Sequence, residues 1–121
     1  MDARHEHIGP EARFRAFLRA GHPTIQFCGA CRKYQFYPSI VCRGCGGTAM
    51  SWRPISGAGV IYALTEIAAG PRFNVALIDL DEGVRMLARV EGDGARAIGT
   101  KVRARVAEVD DVPILVFETA A

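Results

Sequence analysis

Four cysteines in two close pairs constrain this chain more than any other feature of its sequence. Two residues separate the cysteines within each pair and ten connect the pairs, giving Cys28, Cys31, Cys42 and Cys45. Zinc prefers four ligands at tetrahedral corners, and two intervening residues let one tight turn aim both thiolates at the same ion. Because protein ligands fill all four positions, the pattern predicts a structural zinc site in a small ribbon and not a hydrolytic one.

The same cysteine pattern leaves other occupants open. Iron in a rubredoxin-like site takes the same four thiolates, and an iron–sulfur cluster is a further alternative. A redox dithiol of the thioredoxin type needs only one pair, within a βαβ pattern that this sequence lacks. In a reducing compartment, close cysteine pairs hold metal in preference to forming disulfides. We expect one zinc ion, with iron as the alternative.

A short amphipathic helix is predicted ahead of the cysteines. Pro10 suits the first helical position, and Gly21 suits the residue that ends a helix. Between them Phe14, Phe17 and Leu18 have the i, i+3, i+4 spacing of one apolar stripe. A helix of about three turns is marginal alone, so the stripe must pack on the chain's own core or on another protein.

Short strands follow the helix, without any further helical pattern. Five of them lie after the cysteine region, which indicates a small barrel. The spacing alone does not separate an OB-fold from an SH3-like barrel. The predicted strands cover residues 24–27, 35–37, 59–67, 73–80, 84–90, 101–109 and 114–117. The predicted organisation is a tail and helix over residues 1–23, a zinc ribbon over 24–53 and a barrel over 54–121.

Charge is distributed unevenly along the chain. Up to Arg53 there are eight Arg and Lys against three Asp and Glu, and after it seven against ten. A basic front suits an anionic partner such as a cofactor phosphate or an acidic protein face, while a solvated surface is the simpler alternative. The sequence has no apolar run of the roughly 20 residues that a membrane span requires, and its start lacks the apolar region of a secretory signal. We therefore expect a cytoplasmic protein with no membrane association.

Two other classes of function find less support in the sequence. For an enzyme acting alone, the histidines His5, His7 and His22 all precede the ribbon, without a nucleophile arrangement to serve. Single-stranded nucleic-acid binding needs a basic groove with exposed aromatic side chains. The strand face of Lys101, Arg103 and Arg105 keeps that alternative open, but the barrel half is acidic overall and has few aromatics. We expect neither function.

The order of motifs resembles that of a known family, the rubredoxin-like zinc ribbon plus OB-fold proteins, catalogued as domain of unknown function thirty-five. The resemblance covers nearly the whole chain after residue 10 and favours the OB-fold over other small barrels. After Pro38 the family usually has a second proline and a basic residue, whereas Ser39 and Ile40 follow here. The segments that carry the resemblance are residues 14–21, 26–31, 36–38, 42–45, 52, 56–65, 82–85 and 98–102.

The resemblance implies a non-catalytic accessory subunit in a hetero-oligomer with a thiolase-superfamily enzyme, either a thiolase or an aldolase that acts on CoA thioesters. In such assemblies the small protein helps to bind or channel acyl-CoA. Basic and aromatic side chains of the ribbon are then the candidates for acyl-CoA binding, although the aromatics would also serve to cover the ribbon: Phe27, Arg32, Lys33, Tyr37 and Arg43. The helix stripe of Phe14, Phe17 and Leu18 is the candidate partner surface.

Overall fold

The computed structural model describes residues 9–66, 74–92 and 97–120, and these ranges contain one helix and eight strands. No helix in these ranges has the length and apolarity needed to cross a membrane. The elements are α1 (Pro10–Arg19), β1 (Thr24–Cys28), β2 (Lys33–Gln35), β3 (Met50–Pro54), β4 (Ala58–Glu66), β5 (Asn74–Leu80), β6 (Arg85–Glu91), β7 (Lys101–Val109) and β8 (Val112–Thr119).

Helix α1 begins and ends where the sequence predicts. Pro10 occupies the first turn, and Gly21 follows the C-cap with a φ of 82°, a left-handed conformation that glycine adopts at little cost. The backbone N–H groups of Gly21 and His22 close the end of the helix by donating to the carbonyls of Leu18 and Phe17, each at 2.9 Å. These bonds satisfy carbonyls that the last helical turn leaves without an intrahelical partner.

The ribbon is a three-stranded antiparallel sheet in the order β2-β1-β3. The predicted strand at residues 35–37 was misplaced, because β2 covers Lys33–Gln35. Strand β3 was not predicted at all. Only five residues long, it includes Ser51 and Arg53 and ends in a proline, so it lacks an apolar pattern of its own. It forms by pairing along the whole of β1, from Thr24 opposite Pro54 to Cys28 opposite Met50.

The remaining five strands close into a barrel in the order β4-β5-β6-β8-β7, with β4 returning to β7. The pair β6–β8 is parallel and starts only at Arg89 opposite Val116, whereas the other pairs are antiparallel. Gly59 permits the close approach of β4 to β5, since a Cβ there would lie 2.6 Å from the carbonyl oxygen of Asp79. The five-stranded barrel is therefore confirmed.

Small shifts separate the predicted strands from the observed ones. Strand β8 begins at Val112, earlier than predicted, because Asp110 and Asp111 alone form the turn with φ values of 51° and 65°. Two predicted strand ends, Ile67 and Phe73, lie outside the described residues.

Helix, ribbon and barrel contribute to one hydrophobic core. Phe14 and Leu18 of α1 are 8% and 2% exposed, and they join Ile25 of β1 in the same cluster as Val90 and Phe117 of the barrel. The sequence left open whether the stripe packs on the chain's own core or on another protein. The structure shows Phe14 and Leu18 packed in the chain's own core. Burying a side chain of this size contributes about 2–3 kcal/mol, which compensates for the marginal stability of a ten-residue helix.

Candidate metal centre and cleft

The four cysteines converge at one end of the ribbon. Cys28 ends β1 and Cys31 follows in the turn to β2, while the second pair lies in the connection between β2 and β3. All four Sγ atoms lie within 4.8 Å of one another. Two sulfur–sulfur contacts run between the pairs, from Cys28 to Cys45 and from Cys31 to Cys42, each at 3.6 Å. Four sulfurs placed about 2.3 Å from a central zinc ion would be about 3.8 Å apart, so the donor set fits a tetrahedral ion.

Backbone N–H groups point at the first sulfur of each pair. The N–H of Cys31 donates to Cys28 Sγ at 3.5 Å, and the N–H of Gly44 donates to Cys42 Sγ at 3.3 Å. The Cys31 N–H bond is the main cause that lowers the pKa of Cys28 to about 6. Contact with the sulfur of Cys42, and then with that of Cys28, raises the pKa of Cys31 to about 12. Four converging thiols thus cannot all ionise without a cation, and a dication would supply that charge.

The predicted acyl-CoA residues do not form one site. Lys33 and Arg43 line a shallow depression of about 210 Å³ beside Cys31 and Cys42. Both are exposed, and neither forms an ion pair with a described residue. The segment 24–54 contains no Asp or Glu at all. This end of the ribbon therefore presents two cations that no described carboxylate pairs with, and the nearest opposite charge is that of the cysteine thiolates.

Phe27 and Arg32 lie in a second group of contacts. The guanidinium carbon of Arg53 is 3.7 Å from the centre of the Phe27 ring and that of Arg32 is 5.7 Å from it, with the Tyr34 ring packed edge-on at 5.0 Å. These groups leave Phe27 only 5% exposed. The structure thus shows Phe27 as a covered ribbon residue, and a role toward a ligand stays a prediction for it and for Arg32.

Tyr37 lines a cleft of about 230 Å³ between α1 and the barrel. Phe14 and Leu18 form the helix side of this cleft, and the Glu11–Arg15 ion pair lies on the same side. Burial, followed by the Glu11 carboxylate, raises the pKa of the Tyr37 hydroxyl, so that it stays protonated. The third residue of the stripe, Phe17, packs instead against Trp52, with ring centres 5.5 Å apart. Its role toward a partner, and that of the other two, stays a prediction.

The barrel side of the cleft was missed by the sequence analysis. Beyond the cleft lies an open groove of about 450 Å³, and Leu87 and Leu115 line both. The groove lies where β6 and β8 diverge, before their pairing begins at Arg89. Leu87 is 63% exposed, and Val75 of the neighbouring strand β5, which also lines the groove, is 42% exposed. A sequence signal did exist, because Leu87 alternates with the buried Met86 and so had to face outward.

The basic strand face considered for nucleic acid is partly neutralised. Arg105 forms ion pairs with Glu118 and with Glu91, the latter at 2.7 Å. The outer faces of β5 and β6 carry the aliphatic Val75 and Leu87 in place of aromatic stacking platforms. These contacts give the nucleic-acid alternative no support.

Fold and site together define the class: a small β protein in which a four-cysteine ribbon and a closed five-stranded OB-like barrel share one core. Two family models match consecutive parts of the chain. Residues 18–51 match the rubredoxin-like zinc ribbon domain of ChsH2, and residues 52–107 match its C-terminal OB-fold domain. The chain belongs to this family of zinc-ribbon and OB-fold proteins.

Solved structures show the same architecture over nearly the whole chain. A chain of the "Ltp2-ChsH2(DUF35) aldolase" structure is 25% identical with a TM-score of 0.78, and the match covers 93% of this chain and 95% of that one. A DUF35-family protein of unknown function from Sulfolobus solfataricus is 18% identical with a TM-score of 0.67, covering 97% and 90%. The second likeness concerns the fold alone. A comparison with curated proteins finds no match.

Proposed function

We propose that this protein is a non-catalytic, cytoplasmic accessory subunit that holds one structural zinc ion and assembles with a thiolase-superfamily enzyme acting on CoA thioesters. The observation that carries the proposal is the match to a ChsH2 chain of an aldolase complex along 93% of this chain. Such extensive similarity includes the helix, the ribbon and the barrel together. Chemistry would belong to the partner, and this chain would provide shape and binding surface.

The metal part of the proposal rests on the converging thiols. Cys28, Cys31, Cys42 and Cys45 would hold the ion and leave no position for a reacting water. Bound zinc would supply a dication that pins the two turns of the ribbon together. Binding of about 10 kcal/mol or more would stabilise a segment that has only three short strands of its own.

The ligand part of the proposal rests on the cleft and the basic ribbon. The cleft beside Tyr37 and the groove beyond it have apolar walls that suit an acyl chain. Lys33 and Arg43 are exposed and pair with no described carboxylate, so N–H groups of both side chains can donate to the phosphates of CoA. We propose that the acyl chain enters the cleft and that Arg32 and Lys33 contribute to the attraction of the phosphates, so that CoA thioesters are handed to or from the partner enzyme.

The decisive experiment is tagged purification of the chain from its native host, with mass spectrometric identification of whatever co-purifies in stoichiometric amount. We expect a thiolase-superfamily protein, and we expect acyl-CoA turnover from the reconstituted pair but not from this chain alone. Isolation of the chain free of any such protein would contradict the proposal. Affinity for single-stranded DNA that falls steeply with salt would instead favour the nucleic-acid alternative.

A further inference from the structure

Two buried glutamines face each other across the ribbon sheet. Gln26 of β1 is paired with Gln35 of β2, and the two residues are only 3% and 8% exposed. The Nε2 of Gln35 donates to Gln26 Oε1 at 3.2 Å. Burying an amide costs free energy unless its donors and its acceptor are hydrogen-bonded. The other hydrogen bonds of the two glutamines therefore show which part of the chain they hold in place.

Those bonds run to the segment that leads into the second cysteine pair. Gln26 both donates to the carbonyl of Ser39 at 2.7 Å and accepts from its N–H at 2.8 Å. Gln35 donates to the carbonyl of Val41 at 3.1 Å and accepts from the N–H of Arg43 at 2.8 Å. Residues 36–43 contain no helix or strand, and these four bonds connect the segment to β1 and β2 as a sheet ladder would.

The segment connects the candidate metal centre to the cleft. It contains Cys42, whose Sγ contacts Cys31 at 3.6 Å, and Tyr37, which lines the cleft. The guanidinium of Arg43 donates back to the carbonyl of Tyr37. Because these bonds fix its backbone at Ser39, Val41 and Arg43, the segment holds two side chains in a set position relative to each other. They are those of Tyr37 and Cys42.

We infer that Gln26 and Gln35 are positioning residues, which pre-organise the second cysteine pair for the metal and hold the Tyr37 wall of the cleft in place. The inference rests on the proposed metal binding. Without the glutamines, the connection between the pairs would have to be ordered by the ion itself, and part of the binding free energy would be lost to that ordering. Groups that orient metal ligands typically change metal affinity by 10–100-fold.

The test compares zinc affinity, by chelator competition on the full chain, in wild type and Gln35→Leu. We expect a 10–100-fold weaker affinity and a thiolate–cobalt absorption band that saturates only at higher Co²⁺. Gln35→Met is closer to glutamine in shape, makes none of these bonds and adds no buried charge, so it should show a similar loss. The matched control is Asn74→Ala in the barrel, which removes two buried bonds to Val90 and should leave zinc affinity unchanged.

Equal zinc affinity in wild type and the folded Gln35 variants would overturn the inference, and so would an equal loss in Asn74→Ala, since that would reflect general destabilisation. If Gln35→Leu does not fold, Gln35→Met decides the question. A wild-type chain that takes up neither zinc nor cobalt would instead refute the proposed metal function, and the two failures are therefore distinguishable.

Discussion

The Sγ atoms of Cys28 and Cys45 lie 3.6 Å apart, although the two residues are 17 positions apart in the chain. The first ends strand β1 and the second lies in the connection that leads to β3, so this contact closes the open end of the ribbon sheet. Sulfurs brought so close without a disulfide require either protons or a cation between them.

Replacing one ligand should remove the ion and the ribbon together. In Cys31→Ser we expect zinc content, measured by elemental analysis, to fall from one ion per chain to nearly none. The barrel should keep its β-sheet circular dichroism but unfold at a lower temperature, because its five strands close without the cysteines while sharing the core with Ile25 of the ribbon. Ser51→Ala, an exposed change in β3, is the control that should retain the ion. Unchanged metal content in Cys31→Ser would refute the assignment.

Truncating the buried stripe of the helix should destabilise the whole chain. Leu18 is 2% exposed within the shared core, so Leu18→Ala should lower the free energy of unfolding by about 2–5 kcal/mol, as core truncations of this kind do. Urea denaturation measures it. The exposed neighbour Arg19 is the control, and Arg19→Ala should change stability by no more than about 0.5 kcal/mol. Equal, small losses in both variants would show that α1 does not dock on the core.

A charge placed in the cleft should impair ligand binding without unfolding the chain. Leu87 is 63% exposed and lines both the cleft and the groove. Leu87→Asp therefore leaves the core intact, but an acyl chain bound in the cleft would have to desolvate the new carboxylate. We expect binding of a fluorescent long-chain acyl-CoA to weaken at least tenfold, measured with the isolated chain and with its complex. Ile98 is 73% exposed outside the cleft, and Ile98→Asp should bind normally. The proposed acyl site is wrong if the two variants bind alike.

One surface ion pair should make stability depend on pH. The Arg85 guanidinium bonds Asp79 at 2.7 Å and lowers the pKa of that carboxyl. A lowered folded-state pKa contributes stability that is present above the unfolded pKa of about 4 and is lost as the pH falls through the folded value. Both side chains are more than a third exposed, so the effect should be small. Asp79→Asn should therefore have a lower urea-denaturation midpoint than wild type at pH 7, and the difference should shrink as the pH falls towards about 2. A difference between the two midpoints that stays constant over this range would contradict the linkage.

Local features of the molecule could be predicted because short-range physics decides them. Pro10 and Gly21 bound the helix through restrictions on their own backbone. Period-two alternation identified the strand Lys101–Val109 with both ends correct. The spacing of the cysteines was enough to predict that their sulfurs converge, since each turn aims two thiolates in one direction.

Long-range pairing decided the rest, and no local signal predicts it. Strand β3 forms because it pairs along the whole of β1, and the groove lies where β6 and β8 diverge before Arg89 meets Val116. The burial of Gln26 and Gln35 was not predicted either, because glutamine is usually a surface residue and its hydrogen-bond partners here come from the fold. Sequence by itself determined the helix, the cysteine turns and most strands, through dihedral preferences and periodicity. Only the tertiary structure decided the shared core, the cleft and the buried glutamine pair, because each depends on contacts between residues far apart in the chain.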